Sequence, residues 1–190
     1  MITSFAESAL PENVIPGAVF KKLTTHVDGR GFFREIIRST DDFFAEGFGQ
    51  WSHSVMQQNT VKAWHYHHLQ IDWWYAAAGV IHTVLYDNRE ESPSFGRKIE
   101  FLLGEQNDEN PQVLCAAIKI PPGVLHGCKV ITQTAHLFYI TSRTYDPADE
   151  GRFAFDSGKV QHDWGNKDEL IVSANDRRDF LPHAQRVRSA

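Results

Sequence analysis

Apolar and polar residues alternate over short runs along most of this chain, with Gly, Asp, Asn and Pro between the runs. On a strand, residues i and i+2 share a face, so such runs predict half-buried strands. The first, Val19-Phe20-Lys21-Lys22-Leu23, precedes a turn at Asp28-Gly29-Arg30-Gly31 and a second run, Phe32-Phe33-Arg34-Glu35-Ile36-Ile37. Asp-Gly between two runs predicts a hairpin. Thr40-Asp41-Asp42 reads as the cap of a short helix ending near Glu46, before Gly47. Further strands are expected over 50–57, 62–67, 72–78, 80–86, 98–103, 113–120, 125–131 and 136–141.

Short strands at this spacing, with few helical segments, predict an all-β sandwich or barrel. Residues 1–17 are weakly patterned and read as an amino-terminal arm. Residues 146–190 are polar, less regular, and read as a carboxy-terminal extension. Within it, Ser173 to Phe180 is expected to form a short helix capped by Ser173 or Asn175, and the end from Arg186 is expected to fray. With no internal repeat, residues 1–190 make a single domain.

A chain of 190 residues can bury about two-thirds of its unfolded surface. Its 42% hydrophobic and 23% charged residues are ordinary for a soluble globular protein. A formal net charge of −5 and the lack of a basic run argue against a nucleic-acid surface. No apolar stretch has the length of a membrane span, and the amino terminus lacks the layout of a secretory signal. Cys115 and Cys128 lie in apolar surroundings and read as buried thiols, so a cytoplasmic protein is expected. What stands out is ten histidines and 12% aromatic residues.

The histidines concentrate in Trp64-His65-Tyr66-His67-His68-Leu69-Gln70-Ile71-Asp72-Trp73-Trp74-Tyr75, and His126 follows a turn in Pro121-Pro122-Gly123-Val124-Leu125-His126-Gly127. His65 and His67 share a face of a strand, so the two stretches are expected to meet inside a β-barrel. Three readings are open. His65, His67, Asp72 and His126 suit a first-row divalent metal. Their spacing, with Gly79 after Asp72 and with Pro121, Gly123 and His126, also matches the two cupin motifs. Alternatively His65 removes a proton as a general base, a carboxylate holds its tautomer, and a phenol on the opposite face returns a proton. Tyr139 and Asp156 suit those two parts. In the third reading the histidines are hydrogen-bonded core residues.

Several segments together resemble the dTDP-4-dehydrorhamnose 3,5-epimerase family of the cupin superfamily. Asp28 to Glu35 resembles its D-x-R-G-x-F-x-E segment, Gln50 to Ser54 its Q-x-N-x-S stretch, and His65-Tyr66 the H-Y of R-G-L-H-Y-Q. Gly79, Asp87-Asn88-Arg89 and Ser92 to Gly96 are similar to its D-x-R-x-x-S-P-T-F-G run, and Pro121 to Gly127 to P-P-G-F-A-H-G. Tyr139 and Tyr145, followed by Pro147 and Glu150, resemble its tyrosine segment. The similarity runs from about Ala18 to Asp176.

The resemblance implies a cupin double-stranded β-helix barrel and a cofactor-free epimerase of a nucleoside-diphosphate-linked 4-keto-6-deoxy sugar. Such an enzyme serves O-antigen or other polysaccharide precursor synthesis. By position His65 is the base, Asp156 its partner and Tyr139 the acid. Arg30, Phe33, Glu35 and Gln50 hold the nucleotide, dTDP in the family, and Lys62, Asp72, His126 and Tyr145 also fall on the substrate-binding side. A homodimer that exchanges amino-terminal strands is implied as well. Three departures from the family pattern matter. Lys62-Ala63 replaces Arg-Gly, which turns a bidentate phosphate contact into a point charge. His67 replaces a glutamine. Asp72 replaces the lysine that steadies the enolate oxygen, and stabilising such charge is often the largest catalytic term. Either a divalent metal on His65, His67, Asp72 and His126 takes over, or Asp72 is neutral, or pairs with His67 or Lys62, in an enzyme for another keto sugar or a single carbon. Retention of the His65–Asp156 dyad and both tyrosines favours the second. The rival classes are a metal-dependent cupin enzyme and a non-catalytic sugar-nucleotide-binding cupin.

Overall fold

The structure is a computed structural model that describes residues 14–107 and 110–181. Its strands, in chain order, are β1 (Val19–Lys22), β2 (Thr25–Asp28), β3 (Gly31–Arg34), β4 (Gln50–Gln57), β5 (Thr60–His67), β6 (Asp72–Ala78) and β7 (Val80–Asp87). There follow β8 (Lys98–Gly104), β9 (Val113–Leu114), β10 (Ala116–Ile120), β11 (Val124–Val130), β12 (Thr134–Thr141), β13 (Glu150–Arg152) and β14 (Ile171–Val172). One sheet runs β1-β10-β6-β12-β4; the other runs β13-β5-β11-β7-β8-β9, with β14 beside β5; β2 and β3 form a separate hairpin. All pairs are antiparallel except β8 with β9 and β14 with β5. The two sheets face each other in the cupin barrel that the resemblance implies.

Two apolar layers follow from this arrangement. The inner one lies between the sheets and includes Phe20, Met56, Trp74, Leu85, Phe101, Ile118 and Leu137. The outer one lies on the far side of the seven-stranded sheet, where Val61, Trp64, Val84 and Leu125 pack against Phe155, Val160, Trp164 and Leu170 of the carboxy-terminal segment. Strand β7 is covered on both faces, which is why almost every residue of it is buried. Asp87 ends β7 as a clamp: it accepts hydrogen bonds from Arg89, Ser92 and Ser94. Arg89 in turn donates to the Pro16 carbonyl at 2.9 Å. The D-x-R-x-x-S run therefore shapes a turn.

Four expectations need correction. The hairpin partner of β3 is Thr25–Asp28, while Val19–Lys22 joins β10 instead. The expected strand 113–120 breaks at Cys115, because Val113–Leu114 belongs to one sheet and Ala116–Ile120 to the other. The helix after Thr40 shrinks to a 3-10 turn, Asp42–Phe44, since the Asp41 carboxylate pairs with Lys21 and accepts from the Arg38 N–H instead of capping. No helix forms over 173–180. Ser173 does bond Asp176 as a cap would, but the Phe180 backbone exchanges two hydrogen bonds with Arg152 and draws the chain back to the sheet. Of the expected arm, residues 1–13 lie outside the described residues, and Ile15 is fully buried in the inner core. The expected fraying from Arg186 also lies outside them. Among the described residues, no helix is long and apolar enough to cross a membrane.

Candidate active site

The sheets part at one end of the barrel around a cavity of about 270 Å³. From β4, β6 and β12 come Gln50, Asp72, Trp74 and Tyr139; from β5, β11 and β13 come Lys62, His65, His67, His126 and Glu150. Tyr145, in the loop after β12, completes the rim, where its N–H donates to Gln50 Oε1 at 3.1 Å. His65 sits directly across from His126 in the β5–β11 ladder. Strict alternation would put Lys62 on the face opposite His65. A bulge prevents that: between the pairs His65–His126 and Lys62–Cys128, β5 advances three residues and β11 two. The extra residue reverses the phase of the strand, and Lys62 turns into the cavity, where it donates to Ser54 at 2.7 Å.

His65 is held at both ring nitrogens. Nε2 lies 2.8 Å from Asp176 Oδ1, and Nδ1 lies 3.1 Å from Glu150 Oε1. Burial would lower its pKa, but the two carboxylates outweigh burial and raise it to about 9. Glu150 responds in the opposite sense: burial would raise its pKa, and the bond to His65 brings it below the usual value. Glu150 lines the cavity and Asp176 does not, so Nδ1 is the nitrogen on the cavity side. Asp176 is itself fixed by Ser173, whose hydroxyl donates to Oδ2 at 2.9 Å.

Asp156, expected to partner His65, does not. It is half exposed and pairs with Lys167 at 3.0 Å. Glu150 and Asp176 hold the ring instead. The resemblance includes Glu150 in the tyrosine segment without giving it this part, and both acids reach His65 only through strand pairing and turns of the carboxy-terminal segment. The sequence marks Ser173 as a candidate helix cap, and in the fold its hydroxyl fixes Asp176.

Asp72 is 5% exposed and meets two rings, with Oδ1 3.8 Å from His67 Nε2 and Oδ2 3.7 Å from His126 Nε2. The Gln70 amide donates to Asp72 at 2.8 Å and also lies 3.1 Å from His67 Nε2. Asp149 accepts from the N–H groups of His68, Leu69 and Gln70, which pins the loop between His67 and Asp72. Burial pushes His126 down to about 4, and its Nδ1 donates to the Val124 carbonyl at 3.1 Å. Asp72 therefore pairs with histidines, and Lys62 pairs with Ser54. The metal set proposed from sequence contracts: one ligand atom each from His67, Asp72 and His126 lie within 4.8 Å of one another, and His65 is outside that group. Cys128, fully buried at the cavity wall, is free, its thiol pushed up to about 12 by burial.

Three predicted residues lie elsewhere. Arg30, Phe33 and Glu35 belong to the β2–β3 hairpin and the chain after it, and none lines the cavity. The Arg30 side chain is 92% exposed and pairs with Asp28, Phe33 is 62% exposed, and Glu35 pairs with Arg38.

A family model described as dTDP-4-dehydrorhamnose 3,5-epimerase matches residues 12–181. The spore coat polysaccharide biosynthesis protein SpsL of Bacillus subtilis is 38% identical over 157 residues, 81% of this chain and 99% of that protein. The crystal structure of dTDP-4-dehydrorhamnose 3,5-epimerase from Sulfolobus tokodaii superposes with a TM-score of 0.72 at 28% identity, over 87% of this chain and 90% of that one. NovW, a 4-keto-6-deoxy sugar epimerase from the novobiocin gene cluster of Streptomyces spheroides, superposes with a TM-score of 0.75 at 25% identity, over 92% and 87%.

Proposed function

The chain belongs to the dTDP-4-dehydrorhamnose 3,5-epimerase family, and from that premise we propose that it epimerises a dTDP-linked 4-keto-6-deoxy sugar for polysaccharide synthesis in the cytoplasm, without a cofactor. The observation that carries this reading is His65, backed by Asp176, in one cavity with Tyr139. The keto group acidifies the neighbouring C–H. His65 Nδ1 takes that proton once Glu150 gives way, and the electron pair moves into the enolate. Tyr139 delivers a proton to the same carbon from the opposite face, and the carbon is inverted. A general base positioned in this way contributes about 10²–10⁴ in rate.

Small-molecule sites occupy about 300–1,000 Å³, so a cavity of about 270 Å³ suits the hexose and leaves the nucleotide outside. The exposed hairpin with Arg30 and Phe33 is suited to hold that nucleotide on a partner subunit. Val27, Phe32, Phe33, Trp51 and Val55 are exposed apolar residues on β2, β3 and the edge strand β4, which supports a homodimer through this face. In place of the family's lysine, the neutral His126, paired with Asp72, and Lys62 are the cavity groups nearest to that task.

The test is deuterium wash-in from heavy water with dTDP-4-keto-6-deoxyglucose. The expected result is exchange at C3, C5 or both, reduced at least 100-fold in His65→Ala. Binding without exchange across several such substrates would instead establish a sugar-nucleotide-binding cupin. Exchange that follows a metal equivalent, and is lost in both His67→Ala and His126→Ala when that metal is lost, would move the chemistry to a cation on His67, Asp72 and His126.

A further inference from the structure

A second cluster of ligating side chains lies on the other face of the seven-stranded sheet, away from the catalytic cavity. His82 on β7 and Glu100 on β8 point outward, and His162 reaches them from the chain between β13 and β14. His82 Nε2 lies 3.3 Å from Glu100 Oε2, and His162 Nδ1 lies 3.4 Å from Glu100 Oε1. One ligand atom from each of the three falls within 4.8 Å of the others. The His162 side chain is 4% exposed and that of His82 11%. Yet His82 Nε2 and His162 Nε2 are buried with no hydrogen-bond partner. Buried polar atoms are nearly always satisfied; here His82 Nε2 meets Glu100 without hydrogen-bond geometry, and His162 meets it through Nδ1, which leaves Nε2 unpaired. Nothing in the proposed reaction uses them.

We propose that His82, Glu100 and His162 bind a divalent transition-metal cation of the Zn²⁺ type, and that the cation fastens the carboxy-terminal segment to the barrel. Two imidazoles and a carboxylate are a donor set that Zn²⁺ accepts, with one position left for water. Trp164 packs edge-on against both rings, with centroids at 4.2 Å from His162 and 6.0 Å from His82, and shields the site from water. Lys98 is the competitor: its ammonium lies 3.2 Å from Glu100 Oε1 and 3.3 Å from the Gln161 carbonyl. The Lys98 side chain is 28% exposed and can swing outward when a cation arrives. The segment so fastened carries Asp176, so the site would steady one of the two acids on His65 from a distance.

The experiment uses the full chain, stripped with a chelator and dialysed against Zn²⁺. The expected result is one bound equivalent by elemental analysis that survives in Asp72→Asn, with a melting temperature raised by about 5 °C at saturating metal. Glu100→Gln and His162→Gln should each lose both the equivalent and the shift. With Co²⁺ in place of Zn²⁺, visible d–d bands of a four-coordinate site should appear in Asp72→Asn and be absent from Glu100→Gln. The proposal fails if the folded protein takes up no equivalent, if both the Glu100 and the His162 variants keep it, or if Asp72→Asn removes it. Should one variant fail to fold by circular dichroism, the other decides. Deuterium wash-in at the catalytic cavity is read separately, so failure of the site leaves the epimerase reading untouched.

Discussion

His65 carries a proton in the free protein at neutral pH, because two carboxylates hold its pKa near 9. A base must be empty to accept a proton, so kcat/KM is expected to rise about tenfold per pH unit between pH 6.5 and 8.5 and to level off near 9. Glu150→Gln removes one of the two acids and should move that limb to lower pH. A profile with its limb unmoved would show that Glu150 does not touch the reacting ring. The same shift has a sign for stability. The folded pKa lies above the ordinary 6.5, so the His65 ion pairs stabilise the fold fully below about pH 6.5 and are lost as pH rises through 9. The choice between Asp156 and Asp176 is tested at this scale too. Asp176→Asn should lower kcat at least 100-fold by freeing the ring, while Asp156→Asn, which loses only an exposed pair with Lys167, should stay within twofold.

Short elements place these residues, and one close approach sets how. Strand β13 runs antiparallel to β5 with Glu150 across from His67 and Arg152 across from His65. Gly151, between them, faces Tyr66, and a Cβ there would fall 2.2 Å from the phenol ring carbon Cζ. Gly151→Ala must therefore displace the buried Tyr66 ring or lift β13 off β5. The expected cost is about 1–3 kcal/mol in thermal or urea unfolding, with a loss of activity larger than the stability change explains, since Glu150 moves with the strand. The bulge in β5 is the other such element. It lets Lys62 and His65, three residues apart, face the same cavity, which a regular strand forbids.

For the whole molecule the issue is how one small cavity serves a nucleotide sugar. The two sheets line the cavity, the outer apolar layer fastens the carboxy-terminal segment that delivers Asp176, and the β2–β3 hairpin stands apart from the cavity. If that hairpin completes a partner's site, Phe33→Ala should raise KM for the dTDP-sugar at least tenfold with kcat within threefold. Light scattering should give twice the chain mass of 21.6 kDa. A monomeric protein with full activity would refute this arrangement. Phe33 is 62% exposed, so its loss should leave the melting temperature nearly unchanged.

The sequence by itself determined the strand series, the all-β class and most of the cavity wall, because alternation and turn residues are local signals. His65, His67, Asp72, His126 and Tyr139 were legible for the same reason: each sits on a strand whose inward face the pattern marks. Recognisable motifs then supplied the family. Only the tertiary structure decided which acids grip His65, that Lys62 turns inward at a bulge, and that Asp72 rests between two imidazoles. It also brought His162 to His82 and Glu100, residues that no spacing along the chain connects. Those outcomes depend on strand pairing and on turns that return chain from 85 to 111 residues away to His65. A periodicity of two residues carries no information at that range.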